Sequence, residues 1–140
     1  AKNVGFIFQF YNLIPNLTAL ENVELMKDIV DVDIDGMKVL ASVGLDRHAN
    51  QFPSQLSGGE QQRVSIARAV AKKPSMLLCD EPTGALDKKT GKQIMDLLHQ
   101  VVLKNGIMLL IVTHDLDIAK TCNTIFEMDG GRLQCVKYDS

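Results

Sequence analysis

The sequence is poor in several residue types that define small specialised folds. It has no tryptophan, three cysteines, four prolines and only 5% aromatic residues among 140 positions. The cysteines, Cys79, Cys122 and Cys135, are odd in number and lack the spacing of metal ligands, and Cys79 lies in an apolar run. These features argue against a disulfide framework and are typical of a protein of the reducing cytosol.

The sequence also has little net charge and no long apolar run. The formal net charge is -2, so no excess of positive charge is available for binding nucleic acid. The longest apolar run, 107–112, is far shorter than the roughly 20 residues that a membrane-spanning helix needs. A hydrophobic content of 46% is nevertheless enough for the core of one domain. Because the chain starts at once with a strand-like segment, we expect a truncated piece of a longer domain.

The apolar pattern predicts an α/β protein. Three short runs predict buried strands of a parallel sheet, over 4–8, 76–79 and 107–112. Helix start and stop signals predict helices over 18–27, 36–43, 59–71, 88–104 and 116–121. Asp87 is predicted to cap the helix over 88–104, and 30–35 is predicted to be a loop. Residues that alternate between polar and apolar on both sides of the turn sequence Asp129-Gly130-Gly131 predict a β-hairpin. The order is strand, helical insertion, strand, helix, strand, helix and hairpin.

A polar side chain follows each predicted strand. These side chains are Gln9, the pair Asp80 and Glu81, and His114. Ligands of open parallel sheets bind beyond the carboxyl ends of the strands, so the pattern predicts a site there. Two carboxylates suit phosphoryl transfer, which needs a metal to neutralise oxygens and an acceptor to orient water. On spacing alone, a solvated acidic pair is an equal alternative, and a lone histidine after a strand is more often structural.

A glycine-rich segment, Leu56-Ser57-Gly58-Gly59-Glu60, stands directly before the third predicted helix. The start of a helix presents unpaired N–H groups and a positive dipole end, and flanking glycines let a phosphate approach the backbone. The segment therefore favours phosphate binding. On the same helix, Arg63 and Arg68 are predicted either to form salt bridges or to face the phosphate.

Together with Cys79-Asp80-Glu81-Pro82 and Thr113-His114-Asp115, this segment resembles the signature of the ATP-binding cassette (ABC) family of transport ATPases. The similarity extends over about 3–136. Within the family, 4–9, 17–23 and 80–87 resemble the bacterial branch that serves macrolide export, lipoprotein release and antimicrobial-peptide export or resistance, whereas 26–36 departs from it. The resemblance implies an incomplete P-loop NTPase (RecA-like) parallel sheet from 1–9 and 72–140, an α-helical subdomain inserted over 10–71, and a C-terminal β-hairpin.

The resemblance also implies roles for the polar residues, with ATP and Mg²⁺ as cofactors. Asp80 would hold Mg²⁺ together with Gln9, which would also sense the nucleotide. Glu81 would be the catalytic base, and His114 would contact the γ-phosphate. Further nucleotide-binding residues, some acting on the nucleotide of a second subunit, would be Ser57, Gly58, Gly59, Glu60 and Asp87.

The family's Walker A loop, Gly-x-x-x-x-Gly-Lys-Ser/Thr, does not occur in the 140 residues. We therefore expect no steady ATPase activity from this chain alone. In the family's topology, the Walker A strand lies between the strand that ends at His114 and the C-terminal hairpin. Its absence would leave unpaired backbone groups in the sheet, so we also expect self-association or exchange of elements.

The implied partners are a second nucleotide-binding subunit and a transmembrane permease, and the implied location is the cytoplasmic, inner face of the cell membrane. An apolar segment, 10–15, would contact the permease, or would simply pack against the helical insertion. Two other functions stay open. The chain could be a non-catalytic module that docks a membrane subunit, or a DNA-repair-type ATPase head, although no heptad tract supports the second.

Overall fold

A parallel sheet of three strands forms the centre of the computed structural model, which describes residues 4–28 and 33–138. Its strands are β1 (Val4–Phe8), β2 (Met76–Asp80) and β3 (Met108–Val112), in the order β1-β2-β3. Val4 lies beside Met76, and Met76 beside Met108, so the strands start and end together. The predicted strands and their parallel arrangement are confirmed. All three carboxyl ends lie at one edge of the sheet.

Five α-helices accompany the strands in the described residues. They are α1 (Ala19–Glu24, continued by a 3-10 turn over Leu25–Asp28), α2 (Gly36–Ser42), α3 (Gly58–Ala71), α4 (Lys88–Asn105) and α5 (Leu116–Ala119). Helix α3 contacts β1, α1, α2 and α4. In α4, Ile94, Leu98 and Val101 form a buried stripe at helical spacing. Burial of these apolar faces holds α3 and α4 in the core.

The boundaries of α3 and α4 follow from their caps. Ser57 begins α3 with a capping box. Asp87 is the N-cap residue of α4, as predicted, although its side chain makes no capping hydrogen bond. Gly106 ends α4 in the left-handed region, with a φ of 64°, as Asn105-Gly106 predicted. The predicted loop over 30–35 lies partly outside the described residues.

One face of the sheet is covered and the other is open. Ile7, Leu77 and Cys79 point into the core and are fully buried. The opposite face carries Phe6, Leu110 and their neighbours, which are exposed. Both β-to-β connections put their helices on the same side, because the strand order follows the chain order and such crossovers share one hand.

The C-terminal hairpin is a separate sheet. Strands β4 (Thr124–Asp129) and β5 (Arg132–Tyr138) pair antiparallel, with an irregularity between Ile125 and Phe126. The predicted hairpin is thus confirmed, and in the described residues it does not extend the three-stranded sheet. Across those same ranges, none of the helices combines the length and apolar character that a membrane span requires.

Candidate functional site

The carboxyl ends of the three strands bring four of the nine predicted site residues to one edge. Phe8, Asp80 and Val112 lie side by side in register. Gln9 and Glu81 come directly after the first two of these residues, and His114 comes two residues after the third. This register is the reason why side chains more than 100 positions apart in the sequence share one edge of the sheet.

Glu81 is the most firmly held residue at this edge. Its backbone is left-handed, with a φ of 48°, and its N–H donates to the Val112 carbonyl at 2.8 Å. One carboxylate oxygen, Oε2, accepts from the Thr113 hydroxyl at 3.1 Å. The other, Oε1, accepts from the backbone N–H of His114 at 2.8 Å. A left-handed backbone costs a non-glycine residue about 1–3 kcal/mol, and these contacts with β3 stabilise the strained turn.

A cleft of about 300 Å³ lies beside Asp80. It is lined by Phe8, Gln9, Phe10, Asn12 and Asp80. The Gln9 side chain lies so close to Gly84 that a Cβ added at Gly84 would stand 2.8 Å from Gln9 Cδ. Gly84 thus leaves room for the Gln9 amide, and Gln9 contacts the loop that follows Glu81.

The His114 ring extends into solvent. Its side chain is fully exposed, and Nε2 lies 3.9 Å from Glu81 Oε1. Its backbone is fixed, since the N–H binds Glu81 and the next residue, Asp115, donates its N–H to the Thr113 hydroxyl at 3.0 Å. The structure therefore places His114 at the predicted edge with a ring that is open to a ligand from solvent.

The glycine-rich segment is at the start of α3 and does not line the cleft. Ser57 Oγ accepts the Glu60 N–H at 3.2 Å, and Glu60 Oε1 accepts the Ser57 N–H at 2.9 Å. A Cβ added at Gly59 would stand 2.6 Å from Thr90 Cγ2, so any other residue at this position would have to displace the Thr90 side chain. Asp87 is exposed at the start of α4. None of these residues lines the cleft beside Asp80.

The two arginines of α3 bind backbone carbonyls. Arg63 donates to the Val43 carbonyl at 2.8 Å. Arg68 donates to the carbonyls of Tyr11 at 3.2 Å and Asn12 at 2.9 Å, and its burial lowers its pKa. In the described part of the chain neither forms an ion pair, so the predicted salt bridges are not present. The other alternative, that these side chains face the phosphate, stays a prediction.

Three polar residues that shape the site were missed by the sequence analysis. Gln62 is fully buried and binds the carbonyls of Phe8 and Pro82. Asn22, also fully buried, accepts the Ile14 N–H at 2.8 Å and so holds the loop before α1. Thr113 holds the Glu81 carboxylate. A polar residue on the apolar face of a helix is a signal that could have revealed Gln62 and Asn22.

A metal ion would find few protein ligands here. Within residues 4–28 and 33–138, no group of three or more His, Cys, Asp or Glu side chains could hold a metal ion. Asp80 and Gln9, which line one cleft, offer a carboxylate and an amide oxygen. Such a pair suits a cation that takes its remaining ligands from water and from a bound phosphate, as Mg²⁺ does.

A parallel sheet with polar residues at one edge, next to a helix with a glycine-rich start, is the arrangement of a nucleotide-binding protein. The family model of the ABC transporter matches residues 1–84. The chain belongs to the ABC transporter family, which confirms the resemblance read from its motifs.

The relatives are ATP-binding components of such transporters. The uncharacterized ABC transporter ATP-binding protein YbbA of Escherichia coli (strain K12) is 45% identical over 139 residues, covering 96% of this chain and 61% of that protein. The YbbA of Shigella flexneri is equally similar. The chain thus spans about three fifths of the length of these relatives.

A solved structure extends the likeness to three dimensions. The ATP-binding cassette MJ0796, in a dimeric post-hydrolysis state bound to ADP and Pi, is 41% identical and superimposes with a TM-score of 0.79. The match covers 97% of this chain and 64% of that one. The predicted fold class, a P-loop NTPase sheet with a C-terminal antiparallel pair of strands, is confirmed by this match.

Proposed function

We propose that this chain is part of the ATP-binding subunit of an ABC transporter, and that the whole protein hydrolyses MgATP to drive a substrate across a membrane. The observation that carries the proposal is the register of β1, β2 and β3, which places Gln9, Asp80, Glu81 and His114 at one sheet edge. The DNA-repair alternative is less favoured, because the matched relatives are transporter components.

Glu81 is proposed as the base that orients the attacking water. Its carboxylate already has one oxygen on the Thr113 hydroxyl and the other on the His114 N–H. The carboxylate therefore keeps a fixed direction, and its unused lone pairs can accept a proton of water beside the γ-phosphate. His114 follows directly, and its exposed ring is proposed to donate to a γ-phosphate oxygen.

Asp80 and Gln9 are proposed to hold Mg²⁺ in the cleft that they line. The ion, when bound, would neutralise phosphate oxygens. Asp80 is exposed at the end of β2, so its carboxylate can reach a hydrated cation without being desolvated. Gln9 contacts Gly84, so its side chain connects the cleft to the loop after Glu81.

The start of α3 is proposed to act on the nucleotide of a second subunit. None of its predicted nucleotide-binding residues lines the cleft beside Asp80, which supports a role on a nucleotide other than the one proposed to bind there. The N–H groups and positive dipole end of α3 favour a phosphate that approaches from outside. The proposed residues at this dimer surface are Ser57, Gly58, Gly59, Glu60 and Asp87.

The proposal includes a permease partner, with the chain at the inner face of the membrane. Phe10 and Ile14 are exposed, Phe10 at 71%, which favours docking over the alternative that this segment only packs against the helical insertion. We also propose the division into a core of 1–9 and 72–140 and a helical subdomain of 10–71.

A complementation assay tests the proposal. The chain contains no Walker A loop, so its own Glu81 should produce no turnover of MgATP. Its glycine-rich segment should still act in trans. We expect the chain to restore hydrolysis to a family cassette that keeps Walker A but has lost its own signature serine.

The variants of this assay separate the two halves of the site. Ser57→Arg in the chain should abolish the restored activity, whereas Glu81→Gln should leave it unchanged. Turnover by the chain alone that Glu81→Gln abolishes would contradict the proposal. Failure to restore activity at concentrations where sedimentation detects the mixed complex would contradict it as well.

A further inference from the structure

Gln62, in the second turn of α3, joins two loops of the proposed site. Its side chain is fully buried. Nε2 donates to the carbonyl of Phe8 at 3.1 Å and to the carbonyl of Pro82 at 2.5 Å. Phe8 directly precedes Gln9, and Pro82 directly follows Glu81. A single amide therefore connects three segments that are far apart in the sequence.

The orientation of this amide follows from its partners. A primary amide carries two N–H donors on nitrogen, whereas its oxygen only accepts. Turning the amide over would place Oε1 against two carbonyl oxygens, so the donor must face them. Oε1 itself has no hydrogen-bond partner among the described residues. A buried acceptor without a partner is unfavourable, so the two carbonyl contacts are the physical reason for a glutamine here.

Neighbouring contacts extend the connection. Arg68, on the same helix, donates to the carbonyls of Tyr11 and Asn12. Helix α3 thus binds three carbonyl groups at the end of β1 and in the segment that follows it. On the other side, the Gln9 side chain lies against Gly84 in the loop after Glu81. A displacement of α3 would therefore move both loops together.

We infer that Gln62 is a positioning residue that keeps Gln9 and Glu81 in a fixed relation to the glycine-rich start of α3. Its part in ATP hydrolysis rests on the function proposed above, whereas the mechanical connection does not. Through this side chain, the part of the chain that acts on its own nucleotide and the part that acts on its partner's nucleotide would move as one unit.

Amide hydrogen exchange, followed by NMR on the full 140-residue chain without nucleotide, tests the inference. The probes are the N–H groups of Gly84 and Leu86, which donate to Glu81 and Thr83 at 3.1 and 3.0 Å. Leu97 and Leu98, buried inside α4, report on global unfolding. The Gln9 side-chain amide resonances report on the other loop.

Two variants remove the donors with little change in volume, Gln62→Leu and Gln62→Met. In both we expect Gly84 and Leu86 to exchange about tenfold faster or more, with Leu97 and Leu98 within about twofold of the wild type. The Gln9 amide resonances should also shift. Gln61→Leu is the matched control, since the Gln61 side chain binds the nearby Leu56 carbonyl and no other partner among the described residues, and it should leave the probes unchanged.

Two results would overturn the inference. In one, Gly84 and Leu86 keep their wild-type rates in a folded Gln62 variant. In the other, all four amides accelerate by the same factor, which would assign Gln62 to general stability. If Gln62→Leu does not fold, the less disruptive Gln62→Met decides between these outcomes. Because no nucleotide is present, a failure here is distinct from a failure of the complementation assay.

Discussion

At the scale of single residues, the orientation of Glu81 depends on the Thr113 hydroxyl, which also accepts the Asp115 N–H. Thr113→Val keeps the shape but removes this hydroxyl. We expect the free energy of unfolding, measured with urea, to fall by about 1–2 kcal/mol, because a carboxylate and an N–H lose a partner. Thr113→Ser keeps the hydroxyl and should lose less than about 0.5 kcal/mol. Equal losses in the two variants would show that the hydroxyl is not responsible.

Burial of Cys79 predicts a pH dependence of stability. Burial, with a smaller effect of Cys122, raises the pKa of the Cys79 thiol from 9.0 to about 12. Below pH 9 the thiol is neutral in both states, so its contribution to stability is fully present. As the pH rises from 9 towards 12, only the unfolded state loses the proton, so stability falls by up to about 1.4 kcal/mol per pH unit.

Urea denaturation at pH 8, 9 and about 10 measures this effect. Cys79→Ala should flatten the decline above pH 9, although the variant is less stable at every pH because it leaves a cavity. Cys135→Ala, at an exposed cysteine, should keep the wild-type slope. A decline of the same steepness in Cys79→Ala would rule out Cys79 as its source.

At the scale of elements, replacing the N-cap residue with alanine should lower the free energy of unfolding more for α3 than for α4. Ser57 and Glu60 exchange two hydrogen bonds at the start of α3, whereas Asp87 makes none at the start of α4. We expect Ser57→Ala to cost about 1 kcal/mol of unfolding free energy and Asp87→Ala less than about 0.5 kcal/mol. Urea denaturation of both variants measures the difference. A larger loss for Asp87→Ala would contradict the geometry of the caps.

The elements themselves could be predicted from the sequence, because local signals determine them. Apolar runs predicted the strands, and Gly106 marked the end of α4. The long-range contacts could not be predicted in this way. Gln62 and Arg68 bind carbonyl groups, which every residue has, so no residue type in the partner segment reveals the pairing. The positions of the polar residues at the strand ends could be predicted, because the carboxyl ends of parallel strands lie at one edge of the sheet.

At the scale of the whole molecule, the three-stranded sheet has an open apolar face, and in the described residues no further strand pairs with the outer edges of β1 and β3. Parallel sheets are normally covered on both faces. From strand spacing and length, the open face measures roughly 200 Å². A stable interface buries about 800 Å² on each partner, so this face alone would give only weak association. The free edges of β1 and β3 add backbone donors and acceptors, which favour pairing with another chain.

We therefore expect the chain to self-associate in a concentration-dependent way. Sedimentation velocity should show a weight-average sedimentation coefficient that rises between about 10 µM and about 500 µM.

Leu110→Lys puts a charge on the open face at the edge strand β3, where Leu110 is 48% exposed, and should suppress the rise. Leu103→Lys is the control, because Leu103 is more exposed, at 84%, but lies on α4, away from the sheet edge. If general surface hydrophobicity drives the association, Leu103→Lys will suppress it at least as strongly. If β3 drives it, only Leu110→Lys will. A sedimentation coefficient that stays constant at the monomer value over the whole range would exclude both causes, and would mean that the open face and edges tolerate water without a partner.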